Sequence, residues 1–284
     1  MNSTSTLERA PGTALAGDLL HARYGNDKMA LPAAWNEPLA VLLSHRSIRA
    51  FLPKPLPAGT LELIVAAAQS ASTSSNLQAW SVVAVTDAAR KKKLAEFAGN
   101  QKHIEDAPLF LVFLADLSRL GRAAARQGLA AGATDFLETF LVAVVDAALA
   151  AQNAVVALES LGLGSVYIGA MRNRPEEVAA ELGLPPQAFA VFGLCIGHPD
   201  PAKASSIKPR LPQPTVLHRE RYSIDGEEPA LAAYDQDLRR FQKSQGMTEV
   251  DWTRFAVERV KDAAALRGRD RLGAILARLG FPLR

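Results

Sequence analysis

Apolar residues at Leu61, Ile64, Val65 and Ala68 recur at i, i+3, i+4 and i+7, the spacing of one helix face. They predict a helix over PAGTLELIVAAA, opened by Pro57 in its first turn and stopped by the hydroxyl cluster from Ser70 to Ser75. WSVVAVT (residues 80–86) is short and β-branched, and LFLVFLAD (109–116) is a continuous apolar run of strand length. Both predict buried strands, with a short charged helix (88–98) between them. A Gly/Ala/Arg-rich connection (121–134) leads to Asp135 and Glu138, spaced as a capping box, and apolar residues then fill almost every position to Leu161. A helix apolar nearly all round must be covered on most sides, by its own sheet and by a second subunit, which places it at the centre of a homodimer. Gly162 and Gly164 end it, SVYIG (165–169) predicts a third strand, Pro175 opens another helix, and AVFGLCIG (190–197) predicts a fourth strand. After Pro214 the chain reads as helical, over 229–245 and 252–279. Residues 1–36, with Pro11, Gly12, Gly17, Gly25 and Pro32, read as an extension with at most one short helix. On pattern alone, the alternation of helices and strands favours a parallel α/β sheet.

Composition narrows the class. Hydrophobic residues make up 49% of the 284 and charged residues 21%, a folded rather than disordered chain. The longest uncharged stretches, 63–86 and 182–199, are broken by polar residues, Gly or Pro, so no membrane-spanning helix is expected where about 20 apolar residues are needed. The N-terminus mixes charges into each short apolar run and builds no secretory core, which predicts a cytoplasmic protein. Cys195, the one cysteine, cannot form an intrachain disulfide or a thiolate-rich metal site, and its apolar setting marks a buried thiol rather than a nucleophile. The net charge of +3 is uneven: from Leu238 onward there are 11 Lys/Arg against 5 Asp/Glu, leaving −3 for the rest. That basic end suits an anionic partner or a solvated helical face equally well.

The sequence contains no HExxH, no Gly-x-Ser-x-Gly, no Walker loop and no Gly-x-Gly-x-x-Gly after a strand, which removes support for zinc hydrolysis, triad acyl transfer, phosphoryl transfer and a Rossmann fold. What remains is polar pieces between strands, the pattern of a site that binds a cofactor and lets it do the chemistry. In an extended chain His45, Ser47 and Arg49 project to one side, suiting a phosphate or polyol, or simply forming a solvated basic face. The hydroxyl-rich loop Ser72 to Gln78 lets a planar ligand approach the backbone, or merely ends a helix. Gln101, Lys102 and His103 form a polar knot that alone reads as a turn. Tyr167-Ile168-Gly169-Ala170 ends a strand on a glycine, where backbone N–H groups can meet a flavin-like ring. Lys208-Pro209-Arg210 repeats the i, i+2 spacing of cations on a stiff link, with a surface loop as the alternative.

Taken in order, HRSIRAF (45–51), SSNLQ (74–78), GNQKHI (99–104), AAQNAVVALESLGLGSVYIGAMRN (150–173), VFGLCIGHP (191–199) and KPRLP (208–212) resemble the NADPH-dependent, FMN-containing nitroreductase/flavin reductase family, in its oxygen-insensitive major nitroreductase branch. The resemblance runs from about Leu42 to the C-terminus. It implies an α+β nitroreductase-like fold, a mainly antiparallel sheet flanked by helices in an intertwined homodimer, and so overrides the parallel sheet. It also implies an N-terminal extension (1–36) before one FMN-binding domain (37–284), with 215–284 a helical C-terminal segment.

The same resemblance assigns His45, Arg46, Ser47 and Arg49 to a first FMN-binding segment, Thr73 and Ser74 to a hydroxyl loop, and Gln101 to the flavin ring. Tyr167, Ile168, Gly169 and Ala170 fall under the ring, Ala170 standing where the family has a second glycine, and Lys208 and Arg210 complete the pocket. Glu138 and Asn76 fall on the substrate side, Asn76 where relatives often carry an aromatic residue. Arg269 matches an arginine used toward the NADPH phosphate, and a second one expected near Lys243 is not cleanly matched. The implied activity is hydride transfer from NADPH through FMN to nitroaromatics, quinones or related small acceptors, by ping-pong kinetics, with no metal and no catalytic protein nucleophile. A flavin reductase that releases reduced flavin to a partner is the alternative enzyme. A nucleic-acid-binding role for the basic C-terminus finds no helix-turn-helix and no aromatic interleaving to support it.

Overall fold

The computed structural model describes residues 11–25 and 34–284; the remainder of the predicted N-terminal extension, Pro32 included, lies outside the described residues. The chain divides into two compact units: Met1–Arg46 with Ser205–Lys261, and Ser47–Ala204 with Asp262–Arg284.

The second unit holds the sheet. Its elements are α3 (Thr60–Gln69), β1 (Trp80–Val85), α4 (Ala88–Phe97), α5 (Lys102–Asp106), β2 (Leu109–Asp116), α6 (Ser118–Gln127), α7 (Leu137–Ser160), β3 (Gly164–Ile168), α8 (Pro175–Leu182), β4 (Ala188–Gly197) and α11 (Leu272–Arg278). The strands lie in the order β1-β2-β4-β3 and every pairing is antiparallel. The fold is α+β, as the resemblance implies, and the parallel sheet favoured by pattern alone is overturned. The reason is visible in β2, buried at every position. Phe110, Val112 and Leu114 pack into a core with Leu94, Ile104 and Val178, from α4, α5 and α8. Leu109, Leu111 and Phe113 pack with Ile64, Ala68 and Ala150 to Leu158, from α3 and α7. Helices cover both faces, and that erases period-2 alternation whatever the strand direction.

In β4 the register against β2 slips between Phe113 and Leu114, leaving Val191 as the extra residue of a bulge. The freed carbonyl of Val191 accepts a hydrogen bond from the Arg172 guanidinium.

Two other expectations need correction. Asp135 does not cap α7: it closes a 3-10 turn (Gly132–Asp135), and the cap position is Phe136, without a side-chain cap bond. Glu138 is exposed in the first turn of α7. The predicted helix over 252–279 is broken: the α-helix stops at Val260, and further on Arg267 and Gly268 both take left-handed backbone (φ 56° and 85°) that keeps it from resuming there. A 3-10 turn at Arg269–Arg271 and α11 follow the break.

Helix α7 is long and apolar enough to cross a membrane by length and composition alone. Its inner face, Ala143, Ala147, Ala150, Ala151, Ala154 and Leu158, is packed into the cores just described or the adjoining one around Phe189. Its outer face is apolar and open, with Leu141, Val145 and Leu149 exposed at successive i, i+4 steps. Cys195 is fully buried, and burial pushes its thiol pKa far up, so the residue is a core thiol.

The first unit is helical: α1 (Pro11–Tyr24), α2 (Glu37–Ser44), α9 (Glu227–Ser244) and α10 (Trp252–Val260). Asn36 caps α2, accepting from Leu39 N at 3.1 Å, and Asp235 of α9 receives both the Thr253 hydroxyl (2.6 Å) and the Thr253 N–H (3.0 Å) at the start of α10.

Candidate active site

Within the second unit, Ser47 and Ile48 dock on the start of β3. Ser47 forms a parallel bridge to Ser165, and Ile48 N donates to Ser165 O at 2.8 Å. Gly164 allows this approach, since a Cβ there would come 2.6 Å from Ile48 Cγ1. Because the Ser165 carbonyl points outward to Ile48, the period of the strand turns the backbone groups of Tyr167 outward as well. β3 is the end strand of the sheet, so this edge meets no further strand among the described residues. Tyr167 packs edge-to-face on Phe192 (5.1 Å between centroids), and burial raises its phenol pKa well above the usual range. Ala170 sits in a 3-10 turn (Gly169–Arg172) and is not among the residues with positive φ, so the change from glycine carries no backbone strain. Arg172 lies against Gly169, 3.4 Å from where a Cβ would stand.

Arg49 is exposed and makes no hydrogen bond among the described residues. Its charge reaches His103, whose pKa is lowered first by burial and then by Arg49, so the imidazole stays neutral at pH 7. The Nε2 atoms of His103 and His198 are buried without a hydrogen-bond partner among the described residues. Gln101 starts α5 and donates from Nε2 to Ala98 O at 2.9 Å.

The hydroxyl loop is built around a residue that sequence reading missed. Asp146, in the middle of α7, is only 2% exposed. It accepts from Thr73 Oγ1 (2.6 Å), Ser74 N (3.2 Å) and Ala79 N (3.0 Å), and Thr73 Oγ1 in turn accepts from Gln78 N at 2.9 Å. Thr73 therefore commits its one hydroxyl proton inside the loop. Ser75, Asn76 and Gln78 all take left-handed backbone (φ 48°, 53° and 49°), and the carboxylate anchors the segment in that form. Asn76 accepts from Gln78 Nε2 at 3.3 Å. The visible signal was a lone carboxylate in FLVAVVDAALAAQ, which the apolar reading of that helix passed over.

Arg269 donates from Nε to Asn173 Oδ1 at 2.9 Å. Neither Arg269 nor Glu138 is joined by a described hydrogen bond to Arg49, the hydroxyl loop or the Tyr167 edge.

In the first unit one residue joins two of the predicted pieces. Arg23 of α1 donates to Leu43 O (2.9 Å), His45 O (2.8 Å) and Lys208 O (2.9 Å), and its own carbonyl accepts from Arg210 N at 2.8 Å. Lys208 and Arg210 are exposed on either side of buried Pro209. Arg46 is exposed, with one weak bond to Ser44 O, and Lys243 is exposed at the end of α9.

Within the second unit an exposed guanidinium, Arg49, sits on the segment docked at the outward-facing edge of β3, and a cation beside exposed backbone N–H groups is chemistry suited to a phosphate and a planar heterocycle such as FMN presents. Two family models match the chain, described as the nitroreductase family over residues 42–198 and its C-terminal domain over 208–284. The chain belongs to the nitroreductase family. This nitroreductase-family chain is 38% identical over 225 residues to an FMN reductase (NADPH) of Bacillus subtilis, covering 77% of this chain and 89% of the relative. It is 42% identical over 210 residues to an oxygen-insensitive NADPH nitroreductase of Salmonella typhimurium, covering 73% and 83%. Among solved structures, that of B. megaterium NfrA2 superposes with a TM-score of 0.82 at 38% identity, covering 88% of this nitroreductase-family chain and 99% of the other.

Proposed function

We propose that the protein is an FMN-dependent oxidoreductase that passes electrons from NADPH to small acceptors, nitroaromatics and quinones among them. Bound FMN supplies the two-electron chemistry. The chain binds, orients and neutralises. Arg46, Arg49, Lys208 and Arg210 offer cations to the terminal phosphate, with His45 and Ser47 as further polar contacts of the same segments. The outward N–H of Tyr167 and the turn Ile168-Gly169-Ala170 face the ring, Gln101 reaches its polar edge, Thr73 and Ser74 in the anchored loop line the cofactor, and Asn76 with Glu138 borders the acceptor. NADPH and acceptor use one place in turn, so the kinetics are ping-pong. Arg269, with Lys243 as a second cation, favours NADPH over NADH. The open apolar stripe Leu141, Val145 and Leu149 supports a homodimer built on α7. A cytoplasmic location suits an enzyme that draws on NADPH and keeps its single cysteine buried and reduced.

The observation that carries this reading is the exposed Arg49 guanidinium, without a hydrogen bond among the described residues, on the segment docked at the open edge of β3. The purified protein should be yellow and release FMN on heating. Arg49→Ala should weaken FMN binding about ten- to a hundredfold, as expected for about 1.5–3 kcal/mol in a charged hydrogen bond. Lys102→Ala, which removes only an exposed pair with Asp106 (2.8 Å), should leave FMN binding near the parent value. A colourless protein that takes up no added FMN would refute the proposal. A flavin reductase that hands reduced flavin to a partner is the second reading, favoured by the name of the Bacillus relative; saturation by free FMN as second substrate separates the two.

A further inference from the structure

The nitroreductase family match begins at residue 42, yet α1, which precedes it, is docked in the first unit through its last turn. Arg23 in that turn is 5% exposed. Its guanidinium reaches three carbonyls: Leu43 O and His45 O, at the end of α2, and Lys208 O, 185 residues further along the chain. The end of a helix leaves carbonyls without intrahelical partners, and here a guanidinium from another helix takes them. α2 needs such support, since it has eight residues and none is buried. The Lys208-Pro209-Arg210 strap is held at three consecutive backbone positions. Arg23 Nη1 takes Lys208 O, the Tyr234 hydroxyl donates to Pro209 O at 3.1 Å, and Arg210 N donates to Arg23 O. With the backbone fixed in this way, the exposed Lys208 and Arg210 side chains start from a rigid base, the Arg210 guanidinium resting weakly on Lys208 O (3.3 Å) and Pro209 O (3.4 Å).

We infer that the N-terminal helix is a clamp for the cofactor site: Arg23 is a positioning residue that sets His45-Arg46 and Lys208-Pro209-Arg210 in register with each other. The inference rests on the FMN reading of those two segments. Arginine is required because its planar fork addresses carbonyls in separate directions at once, whereas a lysine ammonium at the end of a flexible stem cannot hold all three in one geometry.

The test uses the full chain with Arg23→Ala, Arg23→Lys, Arg210→Ala and Thr253→Ala. The last removes the Thr253 hydroxyl bond to Asp235 and so destabilises the same unit while leaving each of the three strap bonds its own donor and acceptor. The readouts are FMN dissociation constant, Tm, and kcat at saturating FMN. Both Arg23 variants should weaken FMN binding tenfold or more while kcat at saturating FMN stays within about twofold. Thr253→Ala should lower Tm yet keep the parent FMN affinity. If Arg23→Ala does not fold, Arg23→Lys decides, supported by hydrogen exchange at the Arg210 amide in the cofactor-free protein, which should speed up. FMN retained by both Arg23 variants but lost by Arg210→Ala overturns the clamp and leaves the site reading standing. FMN retained by Arg210→Ala overturns the site reading and the clamp with it.

Discussion

Replacing Asp146 by asparagine tests how the hydroxyl loop is held. The carboxylate takes two donors on Oδ2, the Thr73 hydroxyl and Ala79 N, and one on Oδ1, Ser74 N. An amide keeps only one acceptor oxygen. Placed at Oδ2 it points its NH2 at the Ser74 N–H, and placed at Oδ1 it confronts two donors. Either way at least one charge-assisted bond is lost and a donor is left against a donor, about 1.5–3 kcal/mol. The loop has little reserve to absorb this, since Ser75, Asn76 and Gln78 in left-handed backbone cost on the order of 1 kcal/mol each. Asp146→Asn should therefore lower Tm by roughly 3–12 °C at about 2–4 °C per kcal/mol. Hydrogen exchange should accelerate at Ser74, Gln78 and Ala79, and FMN binding should weaken, because the loop leaves its anchored form. Asp146→Ala, which strands all three donors, should be worse. Parent-like Tm and exchange rates in Asp146→Asn would show that the carboxylate is incidental to the loop.

Val145→Asp should abolish dimerisation while sparing the fold, because Val145 is 54% exposed in the single chain and a charge there is buried unpaired only when two copies meet, at several kcal/mol; sedimentation showing an unchanged dimer would remove α7 from the interface. Arg269→Ala should shrink the NADPH over NADH preference, expected at about tenfold for a contact of ~1.4 kcal/mol, chiefly through KM for NADPH, and equal use of both nucleotides by the parent enzyme would refute the assignment. His103 should titrate below its ordinary value of about 6.5, and Arg49→Ala should move it upward. Its folded pKa is the lower one, so below about pH 6.5 the unfolded chain takes up the proton first and stability falls as pH drops; an imidazole NMR signal titrating at or above 6.5 would contradict this.

The strands were legible to within two residues, since β-branched runs between polar boundaries have no good alternative to a buried strand. Their direction was not, because burial on both faces produces the same continuous run in either orientation. Helix α6 (SRLGRAAARQ) was read largely as connection: its arginines and glycine look like a linker until Ser118 is seen buried at one end. The binding segments were visible as local motifs, each ambiguous alone and informative in order. Asp146 and Arg23 were not visible, because Asp146 acts on groups 67 to 73 residues away and Arg23 on groups 20, 22 and 185 residues away, separations no local pattern records.

That 185-residue reach has a consequence for biogenesis. α1 leaves the ribosome first, but the Lys208 carbonyl that Arg23 requires is made last among its three partners. At synthesis rates of about 5–20 residues per second the helix waits roughly 10–40 seconds for it. Throughout that interval all four strands and α7 are synthesised, whereas the other unit still awaits Leu276 and Phe281 for its core around Phe140 and Phe189. In nascent chains arrested before residue 208, α1 should then stay cleavable by protease, and the Arg23 contacts to the strap can close only after that residue has emerged.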